Sequence, residues 1–166
     1  MITNLTLKNF TVFNDLSIDF SAKINVIIGE NGTGKSHLLK AAYALCSANN
    51  GLNGQEDVSD KDIKEAVTNK LLNVFLPPDR KLGKMRKIGV AEDASIRASF
   101  VSDKGIALKF RSNSISVTVE ENSDYERYSL SPIFIPTKEL LTFLRGFGNI
   151  EVDANVLKLM FDETYF

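Results

Sequence analysis

The chain has one cysteine, Cys46, one histidine, His37, four prolines and no tryptophan among 166 residues. A single cysteine makes no internal disulfide, and His37 has no sequence neighbours that would complete a zinc-type ligand set. His37 reads instead as a surface or subunit-contact residue, and Cys46 as a small buried one. An excess of charge of either sign is also missing, since twenty Lys plus Arg stand against twenty-one Asp plus Glu, a formal net charge of −1. No global field draws such a chain onto nucleic acid or a membrane surface, so any contact of that kind has to be a local patch. No apolar run approaches the roughly 20 residues that span a bilayer, and the first residues alternate apolar and polar instead of forming a signal-peptide block. The expectation is a soluble, cytoplasmic protein with no membrane partner.

What is present is 43% hydrophobic and 25% charged, enough for one ordinary globular domain. Residues 2–7 alternate with period two, and residues 16–20 do so again after the polar break at Asn14-Asp15, which predicts two antiparallel strands. Residues 23–28 run apolar into Gly29, as in a strand buried on both faces. Leu38, Leu39, Ala42 and Leu45 recur at helical spacing and predict a helix from Lys35 to about Ala48. An Asn- and Gly-rich loop leads to a second helix over residues 60–75, with Ser59 as its cap, Asp62 adding negative charge to its first turn and Pro77-Pro78 ending it. Residues 87–102, 106–110, 115–121 and 128–135 read as the strands of an antiparallel meander. A further helix is expected over residues 138–144.

The most specific feature is Gly29-Glu30-Asn31-Gly32-Thr33-Gly34-Lys35-Ser36, which fits Gly-x-x-x-x-Gly-Lys-Ser between a strand and a helix. Glycines are needed because the backbone must turn tightly and approach phosphate oxygens where side chains would collide. Successive N–H groups and the positive end of the following helix then face the anion, Lys35 reaches the β and γ phosphates, and the Ser36 hydroxyl ligates Mg²⁺. The implied ligand is a nucleoside triphosphate, foremost ATP with Mg²⁺.

The order of strand, Asn9-Phe10, strand, and Ile27-Ile28-Gly29 through Ser36 resembles the N-terminal lobe of ABC-type ATPases of the RecF, SMC and OLD-like group. Leu5, Leu7, Asn9 and Phe10 match that group's opening strand, which runs beside the nucleotide. The resemblance implies an α/β P-loop NTPase of ABC type, with a mixed sheet around residues 23–28 and an antiparallel β subdomain. It divides the chain into a P-loop core over residues 1–86, a β meander over 87–136, and a Q-loop-like segment with the start of a helical subdomain over 137–166. The C-terminal lobe is then absent from this stretch. Val74-Phe75-Leu76-Pro77-Pro78, Lys81-Leu82-Gly83 and Phe134-Ile135-Pro136-Thr137-Lys138-Glu139 are similar to a prokaryotic subset that often serves in anti-phage defence beside a nuclease or toxin effector. The full-length protein is thereby expected to sandwich ATP as a homodimer or higher oligomer.

The chain also departs from that pattern. The Q-loop Gln is missing, which leaves Thr137 as a candidate Mg²⁺ neighbour and Glu139 as a candidate catalytic carboxylate. There is no Leu-Ser-Gly-Gly signature, and Leu159-Met160-Phe161-Asp162-Glu163 only superficially resembles a Walker B strand, because Lys158 interrupts its apolar run. Glu163 is therefore a weak catalytic candidate, and this stretch alone is expected to bind ATP but hydrolyse it poorly. Phe10 and Phe13 are candidates to flank the adenine, with core packing as the alternative for both. Arg80, Lys81, Lys84, Arg86 and Lys87 form a basic cluster that either touches DNA or RNA phosphates or is a solvated loop. A nucleotide-binding scaffold without turnover and a small P-loop kinase are the rival readings.

Overall fold

The structure is a computed structural model, and it describes residues 1–52, 54–55, 58–125 and 131–135. Five strands, β1 (Ile2–Phe10), β2 (Phe13–Asp19), β3 (Ala94–Phe100), β4 (Gly105–Phe110) and β5 (Thr118–Ser123), form one sheet in the order β2-β1-β3-β4-β5. Every pairing is antiparallel. The two-residue connection Thr11-Val12 closes the first hairpin, because Phe10 pairs with Phe13. The expected meander is therefore continuous with the opening hairpin rather than a separate layer.

Side chains alternate across the sheet as the strand pleat requires. Leu5, Leu7, Ile96, Ala98, Phe100, Ile106, Leu108 and Phe110 are buried on one face. The other face is polar: the Asn4 amide donates to Asp19 Oδ1 at 2.7 Å, Thr6 and Ser17 hydroxyls meet at 3.1 Å, and Arg97 pairs with Glu121. Two helices contribute to the core on the apolar side, α1 (Lys35–Leu52) through Leu38, Ala41, Ala44, Leu45 and Ala48, and α2 (Asp60–Phe75) through Ile63, Val67, Leu71 and Val74. The i, i+3, i+4 spacing of these positions is what puts them on one stripe of each helix.

α2 begins at a reciprocal cap. The Asp62 N–H donates to the Ser59 hydroxyl at 3.3 Å, and the Ser59 N–H donates to the Asp62 carboxylate at 2.9 Å. The helix stops at Leu76, whose φ of 47° is left-handed and whose N–H donates to the Leu72 carbonyl at 3.0 Å. Pro77 and Pro78 then make continuation impossible. Two short 3-10 turns, Pro78–Arg80 and Leu82–Met85, lead toward β3.

Residues 23–28 differ from the sequence expectation. They carry no sheet pairing among the described residues, and Ile24, Val26 and Ile28 are 85%, 75% and 89% exposed. Only Ile27 packs against the core. A doubly buried strand needs neighbours on both edges and cover on both faces, and the described elements supply neither here. The parallel component of the expected mixed sheet is accordingly absent among the described residues. β3 also starts later than expected, at Ala94, because Arg86 to Glu92 is committed elsewhere: the Arg86 guanidinium donates to the Val90 carbonyl at 2.5 Å and the Glu92 carbonyl at 3.1 Å. Residues 131–135 form no strand, and the helix expected over 138–144 lies outside the described residues.

The Ser59 hydroxyl, then its N–H, holds the Asp62 carboxyl below its ordinary value. A lowered carboxylate value in the fold means that the cap stabilises fully above the unfolded value and is lost as pH falls through the folded one. Ser59→Ala is expected to lower stability by about 1 kcal/mol at pH 7. In denaturant titrations the gap between variant and wild type should narrow in acid, and a gap independent of pH would show that the carboxylate plays no part.

Candidate nucleotide-binding site

The loop from Gly29 to Ser36 joins the exposed segment to α1. Gly32 and Gly34 have φ of +79° and +94°, a region that side-chain-bearing residues rarely adopt. At Gly34 space is restricted too: a Cβ there would lie 2.5 Å from Val12 Cγ2 and 2.6 Å from Phe13 Cζ. At Gly29 a Cβ would come within 3.1 Å of Thr33 Oγ1, whose hydroxyl donates to the Glu30 carbonyl at 2.9 Å and closes the loop on itself.

α1 takes its first internal bond from the Leu38 N–H to the Gly34 carbonyl at 2.9 Å. The N–H groups ahead of Leu38 have no partner within the helix, and the positive end of its dipole lies at the loop. The Lys35 side chain curls back so that its ammonium donates to the carbonyls of Gly29 at 2.7 Å and Glu30 at 2.5 Å. The Ser36 hydroxyl is exposed one residue further on. Glycine-bared backbone, helix N–H groups, an ammonium and a hydroxyl in sequence are the donor set that a triphosphate and its Mg²⁺ require, so the residues present fit Mg·ATP. Lys35 would neutralise phosphate charge, and Ser36 would ligate the metal. Among the described residues no cluster of three or more His, Cys, Asp or Glu is placed to hold a metal by protein ligands alone.

The other candidates divide. Phe10 is fully buried, edge-on to Phe75 at 5.3 Å and to Phe110 at 6.2 Å, so core packing is its role and it offers no face to a base. Phe13 is half-buried with its ring edge against Gly34, at the loop itself. Asn9 is used internally: its amide donates to the Asp93 carbonyl at 3.3 Å, and its carbonyl accepts from the Lys87 N–H at 2.8 Å. Thr137, Glu139 and Glu163 lie outside the described residues.

His37 stacks obliquely near Phe75 at 5.8 Å. Burial, then the neighbouring Lys40 ammonium, lowers its proton affinity below the ordinary imidazole value, which keeps it neutral at pH 7. Lys40 in turn donates to the Val74 carbonyl at 2.8 Å, a cation at the C-terminus of α2. Burial pushes the Cys46 thiol up to about 11, as suits a packed residue rather than a nucleophile.

Three of the five basic residues are engaged in hydrogen bonds within the chain, at its surface or only partly buried. Arg80 donates to Asn73 Oδ1 at 2.8 Å, Arg86 to two carbonyls, and the Lys87 ammonium to the Val12 carbonyl at 2.7 Å, while Lys81 and Lys84 are exposed. Val12 is a neighbour of the loop and Lys87 is joined to it through Val12, and neither position is signalled in the sequence. The Thr11-Val12 turn lacks the Asn-Gly or Asp-Gly signal of a two-residue hairpin, whereas Asn14-Asp15, which carries a polar-break signal, lies inside β2.

Gly34→Ala should disturb the loop by strain and by collision with Val12 and Phe13. The left-handed penalty alone is about 1–2 kcal/mol. Calorimetric titration with Mg·ATP is expected to show at least a tenfold loss of affinity, about 1.4 kcal/mol. Unchanged binding would mean that the cradle does not depend on this approach.

Comparison with known proteins agrees with the resemblance to ATPases of the RecF group. The model of the AAA ATPase domain matches residues 1–142. The chain is 47% identical over 47 residues to the DNA replication and repair protein RecF of Bacillus cytotoxicus, covering 28% of this chain and 13% of that protein. It is 40% identical over 62 residues to RecF of Oenococcus oeni, covering 37% of this chain and 16% of that one. The matched stretch thus spans about a sixth or less of the length of these relatives. A solved structure from work on ATP-driven dimerization and DNA-stimulated activation of SMC ATPases aligns over 96% of this chain and 90% of its own, at 17% identity and a TM-score of 0.47. Because the family match runs over most of the chain, through residues 29–36 and on past the last strand among the described residues, the chain belongs to the AAA ATPase domain family.

Proposed function

We propose that this chain is the Mg·ATP-binding N-terminal lobe of an ABC-type ATPase. The observation that carries the reading is the loop of residues 29–36, in which Gly34 is locked against the β1–β2 turn and the Lys35 ammonium is held at the loop mouth by two carbonyls. Binding would exchange those carbonyls for phosphate oxygens, a gain in charge pairing for the same donor. Lys35→Ala should weaken Mg·ATP at least tenfold, about 1.4 kcal/mol, in a direct titration. Equal affinities for wild type and variant would remove the nucleotide reading.

The lobe reading has its own support. Ile24, Val26 and Ile28 lead directly into the loop with their side chains in solvent, and Ile133 and Ile135 are exposed in the same alternating manner. Aliphatic side chains grouped this way mark surface that another part of an assembly covers. In this reading a second lobe supplies the neighbours that residues 23–28 lack, together with the signature and the water-polarising carboxylate, with Glu139 and Glu163 of this chain as the weaker candidates for that carboxylate and Thr137 as the candidate beside Mg²⁺. A P-loop contributes positioning and charge to phosphoryl transfer, so useful work comes from a structural change stabilised by the γ-phosphate. That change is ATP-gated dimerisation or higher assembly of the full-length protein, serving nucleic-acid metabolism or anti-phage defence with a nuclease or toxin effector, and with DNA or RNA as the ligand of the assembly. Light scattering of the full-length protein is expected to show a mass increase with Mg·ATP and none with ADP. One mass in all nucleotide states would overturn the gating.

A further inference from the structure

The β1–β2 turn forms one wall of the phosphate loop, and the turn is itself under constraint. Thr11 is β-branched yet has φ of 50°, and its hydroxyl is buried without a partner among the described residues. Asn9, two residues earlier, has φ of 49°. A two-residue turn of this kind ordinarily carries Gly or Asn, so this one has to be held from outside.

The segment that holds it is residues 85–87. The Thr11 N–H donates to the Met85 carbonyl at 2.6 Å, and the Lys87 N–H donates to the Asn9 carbonyl at 2.8 Å. Phe10 and Arg86 form an isolated antiparallel bridge between these bonds. Beyond the backbone contacts, the Lys87 ammonium donates to the Val12 carbonyl at 2.7 Å. Val12 is the residue that a Cβ on Gly34 would strike first. Contacts therefore run without a gap from Lys87 through Val12 to the backbone of the phosphate loop.

We propose that Lys87 is a positioning residue of the nucleotide site, whose ammonium holds the turn of Thr11 and Val12 against Gly34 and so sets the width of the phosphate cradle. The proposal rests on the reading of residues 29–36 as that site. Main-chain bonds dock residues 85–87 whether or not the ammonium is present, and the side-chain bond is at the surface, so removing it leaves the core closed. Arg86 is already committed to the carbonyls of Val90 and Glu92, which leaves Lys87 as the side chain that acts on the turn.

The test compares wild type, Lys87→Met, Lys87→Arg and Lys35→Ala in calorimetric titrations with Mg·ATP and with Mg·tripolyphosphate, alongside thermal melts. Lys87→Met should weaken both ligands by about three- to tenfold with a midpoint within about 1 °C of wild type, and Lys87→Arg should recover most of the affinity. Unchanged affinity in Lys87→Met while Lys35→Ala still fails would overturn the role of Lys87 and leave the nucleotide site standing. A loss for ATP but not for tripolyphosphate would overturn it differently, by showing that Lys87 contacts the nucleoside directly. A large drop in the melting midpoint would assign Lys87 to stability alone. Wild type that binds neither ligand would remove the site and the proposal together.

Discussion

Helix α1 meets the rest of the core through small side chains. Ala41, Ala44 and Ala48 are all buried beside Leu38 and Leu45, so the helix lies close against its neighbours, and the loop at its N-terminus is brought down to the β1–β2 turn. A larger residue at any of these alanines would lift the helix, because a close-packed interior transmits such a displacement instead of absorbing it. Tyr125 secures the middle of the helix: it is fully buried, packs near Phe100 at 5.8 Å and donates its hydroxyl to the Leu45 carbonyl. Burial raises the phenol's ionisation well above its ordinary value, so this donor keeps its proton across any physiological pH.

Two glycines then carry the close approaches on which the site depends. At Gly83 a Cβ would come within 2.0 Å of the Ser112 carbonyl oxygen, and the Gly83 N–H donates to the Ser114 carbonyl at 3.0 Å. The segment after α2 is thereby pressed onto the connection between β4 and β5, with Leu82 and Met85 buried beneath it. The same segment continues into residues 85–87, which hold the turn that meets Gly34. The loop of residues 29–36 is thus shaped from residues some fifty positions away in sequence as well as by its own glycines. Its position follows from packing, and the nucleotide chemistry proposed for it rests on Lys35, Ser36 and the helix end.

The parts legible from sequence were those whose signals are local. The spacing of glycines before Lys35 and Ser36, the Ser59 and Asp62 pair three residues apart and the prolines after Phe75 each act over a few residues, and each fixed an element at the place expected. Period-two alternation likewise predicted the antiparallel pair β1 and β2, although β2 starts at Phe13 and takes in Asn14-Asp15, and the match of the AAA ATPase domain family agrees with the family resemblance.

Long-range terms decided the rest. The apolar run of residues 23–28 speaks for a buried strand, yet burial is a property of partners, and among the described residues it has none. Aromatic character alone left Phe10 and Phe13 alike, and only the fold put Phe10 between Phe75 and Phe110 and Phe13 at the loop. A run of basic residues reads as one patch in the sequence, whereas the tertiary structure turns Arg80, Arg86 and Lys87 onto acceptors of the chain itself. By itself the sequence determined which residue types stand in the loop and at what spacing, because that pattern is written in adjacent residues. Which side chains wall the loop and hold its shape was decided by tertiary structure alone, because those contacts join residues that only packing brings together.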